Sequence, residues 1–241
     1  MKSKPAMTLD RVLSRYGVAS RTEARKAVLA GRLKVNGQVV RDPDRWIREG
    51  KDVIHFDGKR LRQERKVYLL FYKPKGVITS HGDPDNRKTI YDCLDPDVRW
   101  VSPVGRLDKD SSGLLLLTND TDFANVVTSP ESAVPKTYLV KLNGLIDDRT
   151  LAKLEAGVVM GRGDRAHPQQ VRRIEDRGKY SWVEVVLSEG KNREVRRMME
   201  AVGFTVLKLV RTRIGTLGME GLAVGEYRRL SNAEVSSFSR G

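Results

Sequence analysis

Scarcity narrows the possibilities for this 241-residue chain first. It holds one cysteine, Cys93, so no disulfide can close within it, and such sparse thiol usage suits a reducing compartment. In Tyr91-Asp92-Cys93-Leu94 that thiol is a poor nucleophile, with acids beside it. The three histidines, His55, His81 and His167, are scattered and read as ordinary surface or packing residues. With no Cys/His cluster and no glycine-rich phosphate loop, neither a metal nor a nucleotide cofactor is expected. An apolar leader and a run of membrane-spanning length are also missing, so a cytoplasmic location is expected.

Positive charge is abundant. Charged residues make up 32% and hydrophobic ones 39%, which suits a globular protein of one large domain or two small ones. The formal net charge of +14 points to a polyanion, and to nucleic acid before a membrane surface, because no basic amphipathic helix with bulky apolar anchors stands out. The excess is uneven. Residues 1–66 carry 18 Lys and Arg against 8 Asp and Glu; the rest carry 27 against 23. A basic module attached to a less charged body follows.

In the module, Leu9, Val12 and Leu13 form a helical stripe ended by Gly17. Ser20-Arg21-Thr22-Glu23 fits a capping box opening a helix that turns Ala24, Ala27, Val28 and Leu29 inward and stops at Gly31. Arg21 and Arg25 either solvate that helix or contact phosphates, and the local charge favours phosphates. Leu33 to Val40 alternates around Asn36-Gly37, a strong hairpin signal. Lys59 to Lys66 reads as a charged linker, giving a module over 1–62 and a body over 67–235.

In the body, Val67–Tyr72 reads as a strand ended by the turn Lys73-Pro74-Lys75-Gly76, and Thr79 to Lys88 as a polar surface loop. Asp108 follows Arg106, then comes the small-residue turn Ser111-Ser112-Gly113 and a strand, Leu114 to Leu117, buried on both faces. A charged loop pinned to a buried strand is a firm mount for a reactive group; a plain surface turn is the alternative, and spacing alone favours it. Lys136–Val140 predicts a strand carrying Tyr138. Asp147 or Asp148 caps a helix through about Leu154, and Tyr180–Leu187 alternates like a half-buried strand. A helix then turns Val195, Met198, Met199 and Val202 inward, with Gly203 as its C-cap. Phe204–Ile214 closes the sheet. The fold class is α+β with a mixed, mainly antiparallel sheet.

Gly105-Arg-Leu-Asp-Lys-Asp-Ser-Ser-Gly-Leu-Leu115 resembles the catalytic loop of RNA pseudouridine synthases, in wording that of the ribosomal RNA branch named after RsuA. The likeness runs from about residue 7 to residue 230. Leu9-Asp10, Ser20-Arg21, Ala24, Gly31, Val35-Asn36-Gly37 and Val40 resemble the S4 RNA-binding domain, with a departure at Thr8, where that family often has arginine. The resemblance implies that Asp108 is the catalytic carboxylate, acting at C6 of the base or C1′ of the sugar, or assisting elimination. Tyr138, at the Lys-x-Tyr position, would stack on the uracil. From Glu189-Gly-Lys-Asn-Arg-Glu-Val-Arg-Arg197 it implies Arg196 as the basic partner whose planar fork grips both carboxylate oxygens. Arg106 would fill the space left by the flipped base, or clamp a phosphate. Lys73, Lys75, Arg193 and Arg197 would lie near RNA, as would Ser20, Arg21, Arg25, Lys34 and Asn36 of the module.

The implied reaction exchanges an N1 bond for a C5 bond, with no redox or hydrolytic step. The implied partner is ribosomal RNA, free or in an assembling subunit, acted on by a monomer away from membranes. The wording Gly190-Lys-Asn-Arg-Glu-Val-Arg-Arg197 lies closer to the large-subunit members than to the small-subunit enzyme, so 23S rRNA is favoured over 16S. The rival is a non-catalytic S4-type rRNA-binding or ribosome-assembly factor, which has no chemical reason to combine Asp108, Tyr138 and Arg196.

Overall fold

The computed structural model describes residues 7–16, 21–48, 51–61, 65–80, 82–83, 85–98, 100–161 and 163–238. The chain divides into two units, Met1–Val67 with residues 100–102 and 119–121, and the remainder. Family-independent expectations on Gly17, Ser20 and His81 fall outside the described residues.

In the first unit, β1 (Met7–Thr8) leads into α1 (Leu9–Arg15), and α2 (Arg21–Leu29) follows. Hairpin strands β2 (Leu33–Val35) and β3 (Gln38–Val40) come next, then β4 (Trp46–Ile47), β5 (Ile54–Phe56) and β6 (Lys59–Arg60). The four-stranded sheet runs β3-β2-β5-β6, while β1 pairs with β4. Leu9, Val12, Leu13, Ala24, Val28, Leu33 and Val35 build one apolar core. The hairpin turns where Asn36 and Gly37 both take positive φ, 51° and 84°. Leu29 departs from expectation: it is 57% exposed, because one residue past Val28 the helix has rotated its side chain off the buried stripe. The linker expectation also fails at its start. Lys59 and Arg60 pair with Phe56 and His55, and Leu61 N donates to Ile54 O, so these residues belong to the module's sheet. Asp57-Gly58 was the overlooked hairpin signal.

The second unit is built on an eight-stranded sheet. Its strands are β7 (Tyr68–Lys73), β8 (Ser102–Val104), β9 (Ser112–Thr118), β10 (Lys136–Leu142), β13 (Gln170–Arg177), β14 (Tyr180–Leu187), β15 (Val206–Ile214) and β16 (Tyr227–Arg229). The order is β13-β14-β10-β15-β9-β7-β16, with β8 on β9. The strands β11 (Val158–Val159) and β12 (Arg165–Ala166) make a separate hairpin. Four helices complete the unit: α3 (Thr121–Thr128), α4 (Asp148–Glu155), α5 (Glu194–Glu200) and α6 (Asn232–Ser237). Asp147 caps α4, accepting from Thr150 N at 2.7 Å. One core gathers Val140, Leu142, Leu154, Val183, Val185, Met198 and Met199; another gathers Leu70, Leu114, Leu116, Phe123 and Phe238. Leu115 and Leu117 are buried as well, so the leucine run is covered on both faces.

Among the described residues, every pairing between the named strands but one is antiparallel, and the exception defines the middle of the sheet. β15 does not close an edge: it lies between β10, antiparallel, and β9, parallel. That parallel joint sets Gly113 against Arg211, while β7 sets Lys73 against Gly113 and β10 sets Tyr138 against Arg211. Lys73, Gly113, Arg211 and Tyr138 therefore form one row across four strands, on one face.

Gly113 has φ +110°, and a Cβ there would meet Arg211 O at 2.2 Å. Gly178, in the β13–β14 turn at φ +59°, has open space. Gly113→Ala should cost about 3 kcal/mol or more, and Gly178→Ala about 1 kcal/mol. Equal shifts in the urea midpoints would disprove the close-approach argument.

Candidate active site

The loop between β8 and β9 is held almost entirely through its backbone. Lys73 is fully buried and its ammonium donates to three carbonyls: Pro74 at 3.1 Å, Asp108 at 3.1 Å and Ser111 at 2.9 Å. Thr79 Oγ1 donates to Leu107 O at 2.8 Å, and Gly76 N donates to Lys109 O at 2.8 Å. Ser111 N donates to Asp108 O. These bonds leave the Asp108 side chain free of duty in the fold, 35% exposed at the rim of a cleft of about 690 Å³.

Two expectations are corrected here. Lys73 does not face RNA: a buried ammonium sharing its three N–H bonds among carbonyls is a structural cation. Thr79 is not part of a surface loop; it is buried and pins the residue between Arg106 and Asp108.

Arg106, Asp108 and Tyr138 all line the cleft, with Arg193 beside them. Arg106 and Asp108 flank the buried Leu107, so the two-residue spacing turns both towards the opening. The guanidinium nearest Asp108 is that of Arg193, Nη1 to Oδ2 3.8 Å. Arg193 holds a left-handed φ of 48° at the N-cap of α5. Strain of this kind collects where a side chain must be aimed.

Arg196 departs from the expected grip on the carboxylate. Its Nη2 donates to Asp110 O at 3.0 Å and its Nη1 to Val206 O at 3.1 Å. It ties the loop to β15 by the backbone and stays buried. Burial pulls its pKa down, the neighbouring Arg193 pulls the same way, and Asp108 and Asp110 oppose both. Its influence on Asp108 is through charge and through the loop, not through a fork of hydrogen bonds.

Several proposed RNA contacts have partners inside the protein. Arg197 donates to Asp164 Oδ2 at 2.8 Å and Met160 O at 3.1 Å, latching the β11–β12 hairpin. Arg25 makes a two-pronged pair with Asp44, at 2.8 and 2.7 Å, and Arg21 donates to Asp10 at 3.3 Å. Asn36 donates to Asp52 and accepts from Val53 N. Lys34 and Lys75 are exposed.

Lys136, Arg211, Glu194 and Ser111 line the cleft without having been expected as site residues. For the three charged ones the available signal was charge at positions whose strand or helix register faces inward; Ser111 offered only its place in the small-residue turn. Among the described residues no group of His, Cys, Asp and Glu could hold a metal ion, and no helix is long and apolar enough to cross a membrane.

An aspartate on a loop tied to a buried strand, a tyrosine and a guanidinium thus line one cleft on a mixed sheet. Residues 67–201 match the RNA pseudouridylate synthase family, and residues 7–53 match the S4 domain. The chain belongs to the RNA pseudouridylate synthases and carries an S4 domain at its N-terminal end. It is 39% identical over 94% of its length to the "Ribosomal large subunit pseudouridine synthase B" of Bacillus subtilis (strain 168), covering 93% of that protein. It is 37% identical over 95% of its length to an "Uncharacterized RNA pseudouridine synthase" of Aquifex aeolicus (strain VF5), covering 92% of it. A crystal structure of a pseudouridylate synthase superposes with a TM-score of 0.70 at 31% identity, over 96% of this chain and 99% of that one.

Burial pulls the Lys73 ammonium down to about 8, against the attraction of Asp108 and Asp110. Below that pH the lysine is charged in both folded and unfolded chains, and the cost of burying it is fully felt. Between about 8 and the usual lysine value of 10.5 the folded chain has shed the proton and the unfolded chain keeps it, so this group favours folding more as pH rises. Wild-type stability relative to Lys73→Met should therefore increase across that window, read from urea midpoints. A constant difference would refute the buried-cation assignment.

Proposed function

We propose that this protein isomerises a uridine of ribosomal RNA to pseudouridine, and that the RNA is 23S rRNA. The observation that carries the chemistry is Asp108, whose side chain is presented on a loop held by its backbone from Leu107 to Ser111 and lines the same cleft as Tyr138. Support for the large-subunit RNA comes from the name of the Bacillus subtilis relative and from the wording of the 190–197 segment.

In this reading the target base is unstacked from its helix and enters the cleft. Tyr138 stacks on it, which holds a base without choosing one. Arg106, exposed at the rim, takes the space the base has left or a flanking phosphate. Asp108 supplies the ionised carboxylate at the sugar or base, and Arg193 keeps a positive charge beside it. Arg196 holds the loop and adds its charge from beneath. The N-terminal module, over residues 1–62, anchors the RNA by phosphate contacts, with exposed Lys34 and the helix arginines as candidates; Ser20, outside the described residues, is a further candidate from the sequence.

Asp108→Asn should abolish tritium release from 23S rRNA labelled at uridine C5, while RNA affinity stays within about threefold. Retained turnover in that variant would remove Asp108 from the chemistry. Mapping pseudouridine in both rRNAs of a deletion strain tests the target: loss of a 23S site is expected, and loss confined to 16S would overturn it. Affinity should also fall steeply with salt through counterion release, and a flat response would count against the basic anchor.

A further inference from the structure

Among the described residues, three buried polar atoms of residues lining the same cleft meet no partner: Ser111 Oγ, Glu194 Oε1 and Arg211 Nη2. Their residues are 1%, 4% and 6% exposed. Burying a hydroxyl, a carboxylate oxygen or a guanidinium N–H without a partner is costly. Each of these side chains or its backbone is nonetheless fixed on its other side. Glu194 Oε2 accepts from Lys191 N at 3.0 Å, Arg211 Nε donates to Leu114 O at 2.7 Å, and the Ser111 carbonyl receives Lys73. Fixed on one side and free on the other is how a prearranged recognition group is built. Arg211 is moreover the direct cross-strand neighbour of Tyr138, on the same face.

We propose that Glu194, Arg211 and Ser111 read the edge of the extruded base, the Glu194 carboxylate accepting from uracil N3–H and the Arg211 and Ser111 donors serving the two carbonyl oxygens. This assignment rests on the pseudouridine synthase function. The complementarity is specific. Uracil presents acceptor, donor and acceptor along O2, N3–H and O4; cytosine presents acceptor, acceptor and donor, so its N3 would meet a carboxylate lone pair and its amino group a cation or hydroxyl. Stacking on Tyr138 supplies no such choice.

The same pattern suits the reaction's geometry. To replace the N1–C1′ bond by a C5–C1′ bond, the freed base must turn about the line through C6 and N3, which exchanges N1 with C5 and O2 with O4. That turn leaves the acceptor-donor-acceptor order unchanged. One acceptor with two donors therefore holds uracil before and after rotation alike, and selects the base without opposing its turn. Burial raises the Glu194 pKa and the charge of Glu189 adds to the rise; the N–H bond from Lys191 and the charges of Lys191 and Lys136 oppose both by favouring the ionised, accepting form.

The test compares two 23S rRNA transcripts, one carrying uridine and one cytidine at the mapped target position, as competitors of tritium release from uridine-labelled transcript. Wild type should favour the uridine competitor by about tenfold or more. Glu194→Gln keeps the bond to Lys191 N and can turn an amide N–H toward N3. It should lower kcat/KM by about 10–100-fold and shrink the uridine preference to within about threefold. Arg211→Lys keeps the charge but cannot serve Leu114 O and the base together, and should lower kcat/KM by a similar factor with an unchanged melting temperature. Should Glu194→Gln fold poorly, Ser111→Ala and Arg211→Lys decide. Full uridine preference and full kcat/KM in folded variants would overturn the proposal. A wild-type enzyme releasing no tritium from either rRNA would instead overturn the synthase function on which it stands.

Discussion

Everything at the active site depends on one buried cation. Lys73 ends β7 where the chain turns, and its ammonium collects the carbonyls of Pro74, Asp108 and Ser111. Three carbonyl dipoles converging on one point repel one another and would splay the loop apart in an apolar interior. A single charged donor with three N–H bonds reverses the sign of that interaction. The tax is desolvation of the charge, visible in the lowered Lys73 pKa. What results is a loop whose backbone cannot drift, and a catalytic side chain needs that more than it needs hydrogen bonds of its own. Arg196 repeats the device from the opposite side, through the carbonyls of Asp110 and Val206. Both cations act on the backbone and leave the Asp108 carboxylate open to the cleft.

The sheet supplies the frame for that loop. Lys73, Gly113, Arg211 and Tyr138 stand in one row across β7, β9, β15 and β10. Four side chains rising from adjacent strands would crowd a single level. Glycine at the second place leaves three, and lets β9 approach β15 so closely that no Cβ fits. The parallel joint between β9 and β15 is thus where the Asp108 loop, Arg211 and Tyr138 are brought together.

Local rules made much of this visible in advance. The Asn36-Gly37 hairpin, the buried leucine run, the Asp147 cap and the inward methionines of α5 are all set by neighbours a few residues apart, which pattern and turn chemistry capture. Failures occurred where tertiary contact decides. Lys73 is a lysine in a Lys-Pro turn, and nothing local says whether such a side chain points to solvent or folds back under a loop some 35 residues later. Arg197 and Arg196 are adjacent in sequence, yet one latches a hairpin and the other the catalytic loop. The parallel pairing of β9 with β15 joins segments about a hundred residues apart, and periodicity carries no information on such a partnership. Motif likeness named Asp108 and Tyr138; only the register of the strands revealed Arg211 as the neighbour of the tyrosine.

The charge balance has to be understood in the same two layers. A net charge of +14 suggests a surface bristling with free cations. Many arginines, however, are already engaged: Arg25 with Asp44, Arg32 with Asp57, Arg197 with Asp164 and Arg228 with Glu234. Exposed pairs of this kind contribute little to stability. A phosphate can therefore displace an aspartate from Arg25 at small cost, since both partners are wet and the acid is rehydrated as it leaves. Buried cations such as Lys73 and Arg196 cannot be exchanged this way, because freeing them would strand carbonyls in an interior without water. Polyanion binding thus draws on the exposed, exchangeable layer and leaves the buried layer to hold the loop, so RNA can dock and leave without loosening the residues that act on it.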